Sequence, residues 1–224
     1  MHLRSEKTEG VATFLDLTRM PGQTPNTIAV VAPSLEAVRP LSEAEALDLM
    51  TPVVEAVGAA HRAGLMHRDL KLENVFLHRR ADGSVAPKVL DFGLSRPVGE
   101  NAALRMTATG VMMGTPYYMS PEQCEGAGRV DAKSDVYSLG IMMFEMLAGR
   151  LPFDADGPGK ILGMHMFTPP PLLKEAAPEV PEELAALVQS LLVKEREQRP
   201  SMSDVVAKLT KLADQHPLAR PADQ

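Results

Sequence analysis

The chain has 224 residues, a formal net charge of -6, 45% hydrophobic side chains and 23% charged side chains. This composition is ordinary for a soluble globular protein, and the length suffices for one domain with a substantial core. A general nucleic-acid-binding protein carries a surplus of basic residues, so the acidic balance argues against that class. The single cysteine, Cys124, excludes a disulfide framework within the chain and fits a reducing cytoplasm.

Neither a signal peptide nor a membrane span is expected from the sequence. Residues 1–10 are polar and charged, unlike the start of a secreted protein. The longest apolar run, 139–148, is interrupted by Glu145 and is too short to cross a bilayer. The corresponding prediction is a cytoplasmic protein.

The first part of the chain predicts two strands, a long helix and two further short strands. Residues 11–17 and 27–32 are rich in β-branched and apolar side chains, with turn residues between them. From Ser42 to Ala63, apolar residues recur at every third or fourth position, which predicts an amphipathic helix. Ser42 and Glu45 have the spacing of a capping box at its start. The two further strands are predicted at 74–77 and 87–90.

A long loop and four helices are predicted for the second part of the chain. Residues 91–122 have mixed polarity and no sustained period, which is typical of a functional loop. Ser134 is expected to cap a helix over 135–148, whose apolar residues on most faces indicate burial. Further helices are predicted at 159–166, 181–193 and 201–212. His165 is expected at the surface or at a helix end, and residues 215–224 as a frayed tail.

Three short motifs occur in order along this framework: His67-Arg68-Asp69-Leu70-Lys71-Leu72-Glu73-Asn74, then Asp91-Phe92-Gly93, then Ser120-Pro121-Glu122. One triplet alone is a weak signal, but the ordered set resembles the catalytic half of a protein kinase. Lys71 and the segment 114–122 are similar to serine/threonine kinases, and the proline-ended segment 159–171 resembles bacterial members. The resemblance implies an α+β fold of the protein kinase type, with a mostly helical large lobe and a truncated small lobe.

The resemblance also predicts the division of the chain. Residues 1–213 would form the kinase domain, with 1–40 as a remnant of the small lobe and hinge, 41–213 as the large lobe, and 214–224 as a tail. The sequence contains no Gly-x-Gly-x-x-Gly loop and no Val-Ala-x-Lys strand, the family's elements for holding ATP phosphates. Two explanations stay open: a truncated, weakly active kinase, or a catalytically dead half-kinase that acts as a protein-binding scaffold. In either case a partner or a second copy could cover the exposed small-lobe side.

The implied reaction transfers the γ-phosphate of ATP, with Mg²⁺, to a serine or threonine hydroxyl of a protein substrate. Phosphoryl transfer needs metal ions, an orienting carboxylate and nearby cations. The resemblance implies Asp69 as the group that accepts the hydroxyl proton, Lys71 as a γ-phosphate contact and Thr115 as a residue that seats the substrate. It further implies Asn74 and Asp91 as magnesium ligands, which fits the preference of that hard cation for oxygen, and Phe76 as the apolar contact of adenine.

The remaining assignments from the resemblance concern regulation and structure. Arg68 precedes the catalytic aspartate, as in kinases activated by loop phosphorylation, and a phosphate on Thr107 or Thr109 could pair with it. The structural residues implied are His67 and Phe92 beside the catalytic loop, Glu122 and Arg199 as a buried ion pair, and Asp135 as the residue that binds the backbone of the His67-Arg68-Asp69 turn.

Two other interpretations are weaker. A small-molecule phosphotransferase can share a similar catalytic loop, but Ser120-Pro121-Glu122 and the helix at Asp135 serve peptide docking and activation in protein kinases. His61 and His67 are close in sequence, yet neither a cysteine nor a third histidine lies near them. A metal site at these histidines is therefore not expected, and His67 is expected to be packed.

Overall fold

The computed structural model describes residues 41–79, 85–90, 92, 116–126 and 130–215. The strands predicted at 11–17 and 27–32 lie outside these ranges. The described part contains seven α-helices and two strands: α1 (Glu43–Arg62), β1 (Val75–Arg79), β2 (Val85–Val89), α2 (Pro121–Glu125), α3 (Ala132–Ala148), α4 (Pro158–Phe167), α5 (Leu173–Ala176), α6 (Glu182–Leu191) and α7 (Met202–Gln215). The predicted α+β class with a mostly helical large lobe is confirmed.

Helix α1 begins at the predicted capping box. The side chain of Ser42 accepts from the backbone N–H of Glu45, and the Glu45 carboxylate accepts from the Ser42 N–H at 3.0 Å. These two bonds satisfy backbone donors that the first turn leaves unpaired. The apolar face of α1, including Met50 and Val54, is fully buried in the core, where α1 packs against α3 and α7.

The two strands form an antiparallel hairpin after the predicted catalytic loop, residues 67–74. Val75 pairs with Val89, and Arg79 pairs with Val85. Asn74, predicted as the start of the first strand, instead ends a 3₁₀ turn over Leu72–Asn74. This turn ends the predicted catalytic loop, and β1 begins at the next residue. The loop therefore leads directly into the hairpin.

Helix α3 lies at the centre of the described core. Its residues from Ser134 to Leu147 are all buried, as predicted from its apolar character. A Cβ atom on Gly140 would lie 2.8 Å from Leu191 Cβ, so the glycine permits the close approach of α6. Gly149 ends the helix in the left-handed conformation with φ of 66°, where glycine has no steric penalty.

The predicted N-terminus of α3 is wrong by one turn. Asp131, and not Ser134, is the capping residue, and its carboxylate accepts from the backbone N–H of Lys133 at 2.8 Å. Ser134 lies inside the first turn, where its hydroxyl donates to Glu122 at 2.6 Å. A tertiary hydrogen bond thus uses the side chain that sequence reasoning assigned to the cap.

Two short helices were not predicted. Helix α2 begins inside the predicted loop over 91–122, and α5 follows the proline run after α4. Each has five residues or fewer, which is too short to show a hydrophobic period. The other predicted helices are confirmed with shifted ends, and α7 continues to Gln215 instead of ending at residue 212.

A buried polar cluster joins α4 to α3 through side-chain hydrogen bonds. His165 lies in the last turn of α4, but its side chain is fully buried, contrary to a surface position. Its Nδ1 atom lies 3.0 Å from the hydroxyl of Tyr137. Lys194 donates to the same hydroxyl at 3.1 Å and lies 4.1 Å from the ring centroid of Phe153. The Tyr137 hydroxyl therefore links the side chains of His165 and Lys194.

This cluster makes folding stability sensitive to acid. Burial, followed by the charge of Lys194, lowers the pKa of His165 from 6.5 to about 3. Below a pH of about 6.5 the unfolded chain binds a proton at His165 that the folded chain excludes, so the free energy of unfolding falls as the pH falls. We predict that His165→Gln reduces this slope between about pH 6.5 and 4.5, as measured by urea unfolding at a series of pH values.

The matched control is His78→Gln in β1, which removes a half-buried histidine elsewhere. His165→Gln should reduce the slope by more than this variant does over the same pH range. Equal slopes for His165→Gln and the wild type would contradict the prediction.

Candidate active site

The predicted catalytic loop is held against the first turn of α3 by one carboxylate. Asp135, which is 1% exposed, accepts the backbone N–H of His67 at 2.8 Å and that of Arg68 at 2.7 Å. The Nε2 atom of His61, on α1, lies 2.7 Å from the same carboxylate. A buried carboxylate requires such donors to offset its desolvation, so the loop and Asp135 stabilise each other.

Arg68 has a strained backbone. Its φ of 65° places a non-glycine residue in the left-handed region, at a cost of roughly 1–2 kcal/mol for an L-residue. Its N–H is bound by Asp135, and its carbonyl accepts from the side-chain Nε2 of Gln123 at 2.8 Å. Tertiary hydrogen bonds on both sides of the residue therefore maintain the strained conformation immediately before Asp69.

His67 connects the loop to the end of β2. Its ring is fully buried, and Nε2 donates to the carbonyl of Leu90 at 2.8 Å. Its Nδ1 accepts the backbone N–H of Asp69 at 3.3 Å, which fixes the tautomer with the proton on Nε2. The ring centroid of Phe92 lies 4.9 Å away. His67 is thus packed, and both of its ring nitrogens contact backbone groups.

The structure brings Asp69, Lys71 and Asn74 together in this loop. Lys71 Nζ lies 3.8 Å from Asp69 Oδ2, and the two side chains are 35% and 41% exposed. A partly exposed ion pair at this distance is weak, so the Lys71 ammonium is not held firmly by Asp69. Asn74 Nδ2 donates to the carbonyl of Asp69 at 2.8 Å. Phe76 follows on β1 with a half-buried side chain.

Four predicted site residues lie outside the described ranges: Asp91, Thr107, Thr109 and Thr115. The neighbours of two of them are described. The backbone N–H of Leu90 donates to the carbonyl of Asn74 at 2.9 Å, so the residue before Asp91 is bonded to a predicted magnesium ligand. Pro116, which follows Thr115, is buried.

Glu122 and Arg199 form a buried, bidentate ion pair. Arg199 Nη1 and Nη2 donate to the two oxygens of Glu122 at 2.8 Å and 2.9 Å, and both side chains are at most 5% exposed. The remaining guanidinium donors bind backbone carbonyls of Lys133, Val193 and Lys194. All five N–H donors of the arginine are therefore used, and the start of α2 is joined to the turn before α7.

Glu122 is ionised in this pair. Burial raises the pKa of its carboxyl group, but hydrogen bonds from Arg199 and Ser134 and the arginine charge outweigh burial and lower it below its ordinary value. The folded state thus binds this proton more weakly than the unfolded state. The contribution of the pair to stability is present above the ordinary carboxyl pKa and is lost as the pH falls through the lowered value.

The segment that leads into α2 is anchored on α3. Tyr118 donates its hydroxyl proton to the buried carboxylate of Glu145 at 2.6 Å. The carbonyl of Tyr118 accepts from the hydroxyl of Ser138 at 2.7 Å. Two positions of α3 therefore hold the residues that follow Thr115, on the side of the domain where the kinase resemblance predicts peptide binding.

Sequence reasoning missed two side chains of this arrangement. The sequence places His61 at the edge of the apolar face of α1, where a polar side chain requires a partner, but it does not indicate that this partner is Asp135. Gln123 was overlooked although Ser120 and Gln123 have capping-box spacing, and the structure contains that box at α2. Attention to these two signals would have found both residues.

Comparison with known proteins identifies the class. A family model described as a protein kinase domain matches residues 20–209. The chain therefore belongs to the protein kinase family, as its motifs predicted.

Similar curated proteins include bacterial serine/threonine-protein kinases. The chain is 42% identical over 170 residues to serine/threonine-protein kinase pkn2 of Myxococcus xanthus, covering 75% of this chain and 20% of that protein. It is 39% identical over 160 residues to Pkn1 of the same organism, covering 71% and 23%. A DNA damage-responsive serine/threonine-protein kinase, RqkA of Deinococcus radiodurans, is 36% identical over 214 residues, covering 91% and 31%. The chain thus spans less than a third of the length of these relatives.

None of the helices in the described ranges combines the length and apolar character of a membrane span.

The buried ion pair generates a stability prediction. Arg199→Ala leaves the Glu122 carboxylate buried without its partner, which costs about 3–5 kcal/mol. For a domain of this size we expect the melting temperature to fall by on the order of 10 °C, as measured by calorimetry. Arg196→Ala is the matched control, because the Arg196 side chain is 32% exposed and its partners, Glu197 and Asp131, are surface carboxylates. A melting curve for Arg199→Ala that coincides with that of Arg196→Ala would contradict the prediction.

Proposed function

We propose that this domain transfers the γ-phosphate of ATP to serine or threonine hydroxyls of protein substrates. The observation that carries the proposal is the juxtaposition of Asp69, Lys71 and Asn74 in a loop anchored on the buried Asp135. The three bacterial relatives described above are named as serine/threonine-protein kinases, which supports the same substrate class. The requirement for ATP points to the cytoplasm as the place of action.

Each loop residue has a chemical task in this proposal. Asp69 accepts the proton of the attacking hydroxyl, which is general base catalysis. Lys71 contacts the transferring phosphate, and its exposed ammonium can reach a ligand in solvent. Thr115, which directly precedes Pro116 in the sequence, orients the substrate. On β1, Phe76 contacts the adenine ring.

Asn74 and Asp91 would hold the magnesium ion. The amide of Asn74 uses Nδ2 to donate to Asp69, so its oxygen points away from that bond and suits a hard cation. Asp91 directly follows Leu90, whose backbone binds Asn74. Magnesium at such a site neutralises the charge of the ATP phosphates.

The 224 residues alone should transfer phosphate slowly. Catalysis of phosphoryl transfer is almost entirely positioning and electrostatic stabilisation. The sequence has neither the Gly-rich loop nor the lysine strand with which the family fixes ATP phosphates in line with the acceptor. The chemistry can therefore be present while the alignment of the phosphates is poor.

The test measures phosphate transfer to a generic basic protein by the chain and by a chimera that carries the first strands and helix of a bacterial relative. We predict activity in the chimera and at most weak activity in the chain. Asp69→Asn should reduce the activity of the chimera by at least about 100-fold, the range of a general base. Asp48→Asn, on the exposed face of α1, serves as the matched control and should retain full activity.

The outcomes separate the alternatives. An inactive chimera that folds would contradict the proposal and favour a scaffold that binds a partner at the small-lobe side. Strong, Asp69-dependent activity from the chain alone would support the reaction but contradict the proposed cause of slow transfer.

A phosphate on the segment between Phe92 and Pro116 should regulate this activity. Arg68 Nε is buried and has no hydrogen-bond partner among the described residues, and a phosphate on Thr107 or Thr109 would supply three acceptor oxygens. We predict that an active bacterial kinase phosphorylates one of these threonines and that Thr107→Ala with Thr109→Ala removes the resulting activation of the chimera. Mass spectrometry checks the first point; activation accompanied by phosphate only at other positions would overturn the idea.

A further inference from the structure

We propose that Gln123 is a positioning residue that sets the orientation of Asp69 through the peptide bond between Arg68 and Asp69. This inference rests on the proposed function, because it assigns Asp69 to the catalytic site. Gln123 lies on α2, is 6% exposed, and is remote from the loop in sequence. Nothing in the motif comparison assigns it a role toward the loop.

The peptide unit between Arg68 and Asp69 is held from both of its polar sides. The Arg68 carbonyl accepts from Gln123 Nε2 at 2.8 Å. The Asp69 N–H donates to His67 Nδ1 at 3.3 Å, a longer bond. Gln123 therefore supplies the shorter of the two restraints on this peptide plane.

The next peptide unit is held as well. The Asp69 carbonyl accepts from Asn74 Nδ2 at 2.8 Å. With the peptide planes on both sides of Asp69 fixed, its φ and ψ angles are fixed too, and the direction of its Cα–Cβ bond follows from them. The carboxylate that accepts the substrate proton is thus aimed by the backbone, and Gln123 is one of the side chains that hold this backbone.

The orientation of the Gln123 amide is determined by its partners. Its Oε1 accepts the N–H of Ser120 at 3.0 Å and the Ser120 hydroxyl at 3.2 Å, while Nε2 faces the Arg68 carbonyl. A flipped amide would set two acceptors against each other at Arg68 and two donors at the Ser120 N–H. One amide group thus caps α2 and binds the catalytic loop at the same time.

This double use couples two parts of the site. Helix α2 directly follows the segment over 116–119, which Tyr118 anchors on α3. The Gln123 amide therefore joins the catalytic loop to the helix that follows this segment, to which the kinase resemblance assigns substrate binding.

The test separates the cap from the contact with the loop. Gln123→Glu keeps an oxygen for Ser120, since glutamate is a normal residue at this capping position, but it has no N–H for the Arg68 carbonyl. Gln123→Met removes both interactions. Ser120→Ala weakens the cap and leaves the Gln123 amide free to donate to Arg68.

Amide hydrogen exchange of the full chain gives the first readout. We expect both Gln123 variants to raise the exchange rate in the peptide over 67–74 by about tenfold, the effect of losing one hydrogen bond. Ser120→Ala should raise exchange only over 117–126 and lower the melting temperature. Unchanged exchange over 67–74 in both Gln123 variants, or an equal increase in Ser120→Ala, would overturn the proposal.

Kinetics of the active chimera give the second readout. Gln123→Glu and Gln123→Met should lower kcat by about tenfold with little change of the KM for ATP, whereas the control Asp48→Asn on the exposed face of α1 should leave kcat unchanged. Equal kcat values in all four proteins would also overturn the positioning role. If the chimera has no activity, the proposed function fails, while the exchange measurement still decides whether Gln123 holds the loop.

Discussion

The carboxylate of Asp135 is the group on which the candidate site depends. It is buried in the first turn of α3 and accepts two consecutive backbone N–H groups of the loop, from His67 and Arg68. Without these donors a buried carboxylate would carry a large desolvation cost. Without the carboxylate, the left-handed backbone of Arg68 would lose one of the two bonds that maintain it. The backbone geometry of the loop therefore depends on the position of α3 in the core.

The same coupling extends from the loop to the rest of the site. His67 carries it to the end of β2, where its ring binds the carbonyl of Leu90 and packs on Phe92. Asn74, which directly precedes β1, is joined to the end of the hairpin because its carbonyl accepts the backbone N–H of Leu90. Asp69, Lys71 and Asn74 thus lie in a loop whose backbone is hydrogen-bonded at several points, and phosphoryl transfer depends on such preorganisation.

Much of this architecture could be predicted from the sequence where the signal is local. The capping box of Ser42 and Glu45 and the apolar period of α1 are contained within one helix. The motif around Asp69 is contiguous, so a resemblance to the kinase family located the loop directly. The continuous apolar character of 135–148 predicted the buried helix α3, because no face of that segment suits solvent.

The features that escaped prediction depend on tertiary partners. Asp131 and Ser134 are both suitable capping residues, and the choice between them follows from Glu122, which takes the Ser134 hydroxyl. The burial of His165 depends on Tyr137 and Lys194, neither of which is near it in sequence.

The first turn of α3 explains why the two halves of the site are positioned together. Ser134 binds Glu122, and the adjacent Asp135 binds the catalytic loop. Lys133, one residue earlier, contributes its carbonyl to Arg199 and donates its ammonium to the carbonyl of that arginine. Consecutive residues of a single turn thus hold the catalytic loop, the start of α2 and the turn before α7. Any displacement of this turn would move all three at once, so their relative geometry is set by one rigid element.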